Sequence, residues 1–327
     1  MKRMLCCAAF AVWTVCAALP APAQEYLPDA EKGRTTPSFE KQGPSTFAFL
    51  KVTPTARVAA MGDAYTAVAD GIEAIHWNPA GIAKLRKVGY SFGYTQWLVD
   101  SRFYSGAVAG NVGWGSVLGI TVVNFQPPEI KETTTLQPTG TGKMVDVGDL
   151  AVGLVYAKRL TDKLSAGGTI RYVESKLGPR RLKAVTLNVS TLLHTGFRSF
   201  RIGMSMKNLG NELQLVNQKS DMPLVFHIGS AMEVYGKLGG PVSLTASFEG
   251  AYFVDRWQRY NLGGELWLKD ILALRGGYKF RYDEESWSIG AGLKGKFSGH
   301  AVHVDFSYSD FGSLLEAPLR LTLSGSF

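Results

Sequence analysis

Beyond Lys87 apolar and polar residues alternate with a period of two, and the alternation restarts many times along the chain. In the last stretch Leu319, Leu321, Leu323, Gly325 and Phe327 share one parity, while Arg320, Thr322, Ser324 and Ser326 share the other. Val302, Val304, Phe306 and Tyr308 alternate in the same way with His303, Asp305, Ser307 and Ser309. The pattern recurs in Val185/Leu187/Val189 against Thr186/Asn188/Ser190, and in Val242/Leu244/Ala246/Phe248 against Ser243/Thr245/Ser247/Glu249. Successive side chains of an extended strand point to opposite faces, so each stretch predicts a strand with one apolar and one polar face. Fourteen are expected, at about 87–98, 101–112, 114–126, 145–159, 163–175, 182–195, 197–208, 222–235, 240–253, 258–268, 271–283, 285–297, 300–310 and 318–327.

The connections add direction. The longest, near 127–144, 176–181, 209–221 and 311–317, all follow odd-numbered strands, and those after even-numbered strands are short. An even-stranded outer-membrane barrel with tight periplasmic turns and longer extracellular loops shows this asymmetry, and both termini are then periplasmic. Aromatics near strand ends (Trp97, Phe103, Tyr104, Trp114, Phe125, Trp257, Tyr260 and Tyr282) are expected as interfacial girdles. The terminal strand ending in Phe327 resembles the C-terminal signal of outer-membrane proteins.

The first 86 residues follow other rules. Lys2 and Arg3, the apolar run Leu5 to Leu19 and the small residues Ala21-Pro22-Ala23 make a secretory signal peptide over 1–23, too short for a transmembrane anchor. A polar, proline-containing stretch over 24–46 is expected to be a flexible periplasmic leader. Residues 47–86 are small and apolar; Ala-rich pieces favour short helices broken at Gly62 and Gly71, and Asn78-Pro79 places Asn as N-cap with Pro at the first helical position. The expected domains are thus a signal peptide, a leader, an N-terminal plug over 47–86 and a transmembrane β-barrel over 87–327.

Composition narrows the chemistry. Of 327 residues with a net charge of +8, only three are Cys, and all three fall in the signal peptide, so thiol catalysis and Cys-ligated metals are excluded after cleavage. No second apolar stretch reaches eighteen residues, which leaves a closed barrel as the way to span a membrane. His300 and His303 lie three apart on one strand and point to opposite faces. His194, His227 and His303 share the polar parity with many hydroxyls, where a hydrolase site competes with ordinary lumen packing. Arg171, Arg201, Glu233, Glu249, Glu265, Arg275, Lys279 and Asp305 also face inward by parity; they either line a polar path or form a salt-bridged filling. Glu249 and Glu265 could be imagined as a general acid and base, but their spacing in sequence does not fix their separation. No clustered basic face or stacking motif points to nucleic acid, and no cofactor is implied.

The run Ala56-Arg57, Ala60-Met61-Gly62-Asp63-Ala64-Tyr65-Thr66-Ala67-Val68-Ala69-Asp70 and Trp77-Asn78-Pro79-Ala80-Gly81 resembles the N-terminal signature of the PorV/PorQ family, part of the FadL-like superfamily of outer-membrane long-chain fatty acid transporters. The resemblance is sharp over about residues 46–86 and diffuse elsewhere. It implies an all-β, fourteen-stranded antiparallel barrel with a small helical hatch in the lumen, no enzymatic activity, and passive passage of hydrophobic, fatty-acid-like small molecules. It also implies that Asn78, Pro79 and Ala80 belong to the hatch motif, with Gly62 and Gly81 as backbone pivots. On the residues alone, Asn78 may equally be read as a helix cap that anchors the plug. The PorV side of the resemblance implies instead a secretion-system or surface-attachment component, binding exported proteins through its extracellular loops. Outer-membrane lipid is the expected surrounding in either case.

Overall fold

The computed structural model describes residues 45–327 except 212, 216, 217, 298, 299 and 314. The expected signal peptide and the leader as far as residue 44 lie outside the described residues. Fourteen antiparallel strands close on themselves: β1 (Val88–Gln96), β2 (Arg102–Gly113), β3 (Ser116–Gln126), β4 (Val147–Arg159), β5 (Leu164–Leu177), β6 (Arg180–His194), β7 (Arg201–Leu209), β8 (Val225–Gly236), β9 (Val242–Phe253), β10 (Arg259–Leu268), β11 (Leu272–Phe280), β12 (Trp287–Phe297), β13 (His300–Ser309) and β14 (Leu319–Ser326). Every strand pairs with its sequence neighbours, and β1 pairs with β14 from Gly89 opposite Ser326 to Gln96 opposite Leu319. Closure leaves the wall without an unpaired strand edge. The count and the closure agree with the period-two reading.

The alternation sets the two faces. On β3, Leu118, Ile120 and Val122 are exposed on the outer surface, while Val117 and Thr121 are buried inside. Each strand repeats this, so the outer wall is a continuous apolar surface and the inner wall is largely polar. An apolar exterior of this extent exceeds the patches that a water-facing monomer ordinarily exposes.

Two expectations need correction. The longer connection expected near 176–181 is a two-residue turn, because β5 and β6 pair to their ends at Leu177 and Arg180. Gly178, at φ +62°, followed by Pro179 supplies the positive-then-negative φ sequence that a tight hairpin needs. The long connections are 127–146, which carries its own short hairpin (Ile130–Lys131 with Met144–Val145), and 210–224. Among the aromatics expected as girdles, Trp97, Phe103, Phe125 and Tyr282 face the lumen mouth instead. Position near a strand end does not reveal which face a ring occupies; the parity of Phe103, shared with Ser105 and Ala107, does.

Residues 45–86 occupy the barrel interior as a 3₁₀ turn at Ala48–Lys51, a helix α1 at Ala56–Ala60, a helix α2 at Ala74–Trp77 and a 3₁₀ helix at Pro79–Lys84. Residues 63–73 are turns rather than the Ala-rich helix that propensity favours. Their backbone is claimed by other partners: Tyr65 and Thr66 donate their N–H groups to Glu249, and the Thr66 carbonyl accepts from Asn78. Helical Ala propensity is a few tenths of a kcal/mol per residue, less than one charge-assisted hydrogen bond.

If the outer wall faces lipid, Ile170→Arg at the middle of β5 should destabilise the bilayer-inserted barrel by about 2–4 kcal/mol, read from chemical unfolding in vesicles. An Ile170→Arg protein as stable as wild type would count against lipid contact on that face.

Candidate functional site

The site is the contact between residues 45–86 and the inner wall. Arg57 on α1 is buried and makes a two-pronged pair with Glu265 of β10, Nε to Oε2 at 2.8 Å and Nη2 to Oε1 at 2.7 Å. Its remaining Nη1 reaches Asp70 at 2.5 Å and the Tyr65 hydroxyl at 3.1 Å. Glu265 also accepts from Arg275 Nε of β11 at 2.7 Å, and Arg275 Nη1 reaches Asp305 of β13 at 2.5 Å. The result is a buried chain from plug to three wall strands, in which the Arg57 guanidinium matches one carboxylate two atoms at a time and that of Arg275 bridges two carboxylates with one bond each.

A second anchor lies on the neighbouring strands. Glu249 of β9 is fully buried; its Oε2 accepts from Tyr65 N at 2.9 Å and Thr66 N at 2.7 Å, and its Oε1 lies 2.8 Å from His227 Nδ1 on β8. A third joins Asp63 to Lys279 Nζ at 2.6 Å and to the Thr53 hydroxyl at 2.6 Å, with Glu285 also on the Lys279 ammonium. Wall hydroxyls complete the attachment: Thr322 accepts from Ala56 N at 2.9 Å, and Ser324 donates to Glu73 Oε1 at 2.9 Å.

These contacts decide between the two sequence readings of the inward charges. Glu233, Glu249, Glu265, Arg201, Arg275, Lys279 and Asp305 are all paired, five of them through the network that holds the plug, while Arg201 and Glu233 pair with each other at 2.8 Å. Glu249 and Glu265 are occupied by plug backbone and by two arginines. His227 is committed to Glu249, His303 faces Trp267, and His300 packs on Phe327. Arg171 is buried with no carboxylate partner among the described residues.

The motif residues are placed as follows. Asn78 is fully buried and caps the 3₁₀ helix through Oδ1, which accepts from Ala80 N at 3.1 Å. Its Nδ2 donates to Thr66 O at 2.7 Å and to Thr191 O of β6 at 3.2 Å. One side chain thus ties two plug turns to the wall. Pro79 is the first residue of that helix, and Ala80 N also donates to Ser190 of β6 at 3.1 Å. Gly62 has φ +61° and lies against β11, where an added Cβ would come within 3.1 Å of Gly277. Gly81 has no such dihedral; it is small because a Cβ there would meet Ala69 O at 2.6 Å. The wall reciprocates, since a Cβ on Gly277 or Gly203 would stand 2.1 Å from Gly62 N or 2.2 Å from Thr66 O.

Sequence reasoning did not single out Arg57, Asp63, Asp70 or Glu73. The signal was available: charges inside a small, apolar run have no water to face once that run is buried, and they need opposite charges elsewhere. Glu73 is incompletely satisfied, since Oε2 has no hydrogen-bond partner among the described residues. Burial first, then the Asp305 carboxylate, push its carboxyl up to about 8, against the opposite pull of Arg57 and Arg275. His76 of α2 is held neutral, its ring pushed down to about 3 by burial and then by Arg171 and Lys207.

Open space remains above and below the plug. At the end of the long connections an apolar cavity of about 480 Å³ is lined by Phe47, Phe49, Val52, Trp97, Phe103 and Phe125 among others. It shares Ala48, Val52 and Trp97 with a neighbouring cavity of about 210 Å³ that carries most of the mouth's charge. At the opposite end a cavity of about 370 Å³ is bounded by Val68, Ala69, Ile82, Leu85, Leu192 and Phe327. On the outer wall, beside a register irregularity between Glu233 and Tyr235, a groove of about 200 Å³ runs over Phe248 and Leu262 and reaches the inward-facing Ala231 and Ser247.

No protein-family model matches the chain, and no curated protein matches it. Solved structures do. The CymD monoaromatic hydrocarbon channel superposes with a TM-score of 0.56 at 11% identity, over 84% of this chain and 98% of that one. The Pseudomonas putida toluene transporter TodX gives 0.55 at 12% identity, over 83% and 97%. A Pseudomonas aeruginosa FadL homologue gives 0.52 at 12% identity, over 84% and 98%. The class is therefore set by architecture, a closed fourteen-stranded antiparallel barrel of the kind that these channels and FadL homologues have. At this identity the likeness is one of fold.

Two measurements test the network. Arg57→Met leaves Glu265 with Arg275 alone and Asp70 without its pair, so it should weaken plug attachment by about 3–5 kcal/mol, seen as faster hydrogen exchange over residues 56–70 in a barrel that stays closed. A Glu73 carboxyl at about 8 in the folded protein and near 4.5 when released contributes stability that is complete below pH 4.5 and lost as pH rises through 8. The thermal midpoint of wild type should therefore fall more between pH 6 and pH 9 than that of Glu73→Gln; parallel curves would remove Glu73 as the cause.

Proposed function

We propose that this protein is an outer-membrane passage for hydrophobic small molecules, with residues 45–86 as a hatch that must shift for a solute to pass. One observation carries the reading: a ring-lined cavity at the mouth and a mixed apolar and charged cavity at the opposite end of the lumen are separated by a plug that is held by discrete side-chain contacts rather than by the continuous backbone pairing of the wall. Hydrogen bonds and ion pairs of this kind can be exchanged locally at a cost of a few kcal/mol each.

A hydrophobic solute enters the mouth among Phe47, Phe49 and Phe103 and displaces the plug locally. The groove at Phe248 and Leu262, whose floor includes Ser247 hydrogen-bonded to plug residue Ala64, offers a sideways exit into lipid. Asn78 is central to the hatch in this reading because it joins the turn at Thr66, the helix at Pro79 and the wall at Thr191. The likeness to channels described as monoaromatic hydrocarbon channels supports a hydrophobic solute, and the apolar exterior supports an outer-membrane setting entered by way of the signal peptide, with periplasmic termini. The finer assignment to the PorV/PorQ family, with its secretion partners, rests on the motif over residues 56–81 alone.

The test is uptake of labelled toluene and of a labelled long-chain fatty acid by cells lacking their own transporters. Wild type should confer saturable uptake of at least one, and the Asn78→Ala, Pro79→Ala variant should lose it at matched surface levels. A correctly inserted wild type that transports neither would overturn the passage reading.

A further inference from the structure

The charged cavity at the mouth holds more cations than its acids can neutralise. Lys51 pairs with Asp255, Arg259 with Asp283 at 3.1 Å, and Lys279 with Asp63 and Glu285. Lys207 of β7 lines the same cavity and has no carboxylate partner among the described residues. Its neighbouring acid, Glu249, has both oxygens occupied by Tyr65 N, Thr66 N and His227. Asp63, the other acid that acts on it, is committed to Lys279 and the Thr53 hydroxyl, and Arg171 and the neutral His76 supply no negative charge. What Lys207 does have is the Trp77 indole, with Nζ 3.4 Å from the ring centroid. A cation–π contact offsets part of the cost of burying an ammonium, but it leaves the charge uncompensated and its N–H donors facing the cavity.

The surroundings of that ammonium are aromatic. Trp77 lies 5.1 Å from the His227 ring, and His227 lies 6.4 Å from Phe253, which also lines the cavity. At about 210 Å³ the space is smaller than the pockets of drug-sized ligands, which run from about 300 Å³. Flat walls, small volume and two cations without a carboxylate partner among the described residues, Lys207 and Arg320, together describe a compact ligand with a ring and a negative charge.

We propose that this cavity binds a compact aromatic carboxylate, with its carboxylate on Lys207 and its ring against the row of Trp77, His227 and Phe253. The proposal rests on the passage reading above and refines it, since it makes the preferred solute an acid rather than a neutral hydrocarbon. Arg320 at the far side, hydrogen-bonded among the described residues to the Thr53 carbonyl at 3.2 Å and the Ser309 hydroxyl at 3.0 Å, adds to the positive field that draws an anion into the mouth.

The experiment compares trans-cinnamate with its neutral isostere trans-cinnamamide, using the purified full-length mature protein. In calorimetric titration in detergent, cinnamate should bind about tenfold more tightly than cinnamamide, the difference expected of one charge-assisted contact. Lys207→Met should abolish that advantage, so that the two compounds bind equally, and Lys207→Arg should keep it; heat-modifiable gel migration checks that each barrel is folded. Equal binding of the two compounds by wild type would overturn the proposal without any variant. Uptake into proteoliposomes separates the two readings: entry of both compounds at equal rates removes the acid preference and leaves the passage, and entry of neither removes both.

Discussion

Inward-facing polar groups in a closed barrel must find partners, and fourteen strands enclose too much space for them to do so with one another. Eight strands give a lumen that side chains can fill, and sixteen or more leave an aqueous channel. Here the filling is a segment of the same chain. Glu265, Glu249 and Lys279 project from the wall into space where Arg57, the N–H groups of Tyr65 and Thr66, and Asp63 wait for them. Glu265, Glu249 and Lys279 are satisfied because the plug is present, and the plug keeps its irregular path because the wall supplies what a helix would otherwise supply. Neither part is explicable alone.

The same constraint explains where the small residues fall. Plug backbone can reach a carboxylate on the wall only if the intervening wall positions carry no side chain. Gly203 and Gly277 clear the space at Thr66 and Gly62; Gly203 lies in register with Glu249 through Gly229 of the strand between them, and Gly277 is on the strand that bears Lys279. Glycine weakens a strand interior, and a sealed ladder on both sides is what makes that weakness tolerable. The cost is recovered as close contact between two backbones.

Dense packing in the middle and open cavities at the ends divide the labour of the molecule. The centre is held by ion pairs whose geometry is specific and whose loss is cooperative, so it suits a closed resting state. The mouth is built from rings on Phe47, Phe49, Trp97, Phe103 and Phe125 and can accept apolar surface without disturbing that centre. In the proposed passage the solute's burial among those rings supplies the free energy that local displacement of the plug requires. Glu73, lodged against Ser324 with one oxygen unpaired, is the least comfortable member of the attachment and the place where it is easiest to loosen.

Much of this was written in the chain. Period-two alternation gave the strands, their number and the identity of the inner face, because a strand's geometry translates parity directly into direction. Asn78-Pro79 announced a capped helical start, because capping depends on residues one and two positions apart. What local pattern does not encode is who meets whom across the lumen. Arg57 is 208 positions from Glu265, and Asp63 is 216 from Lys279, so their pairing follows from the closure of the sheet and not from spacing. The same holds for the rings at Trp97 and Phe103, which sit at strand ends yet face inward, and for residues 63–73, whose alanines favour a helix that the wall overrides. Sequence alone determined the wall, since each strand's faces are fixed by its own residues; only the tertiary structure decided the plug's path and its partners, since buried charges choose their partners in three dimensions.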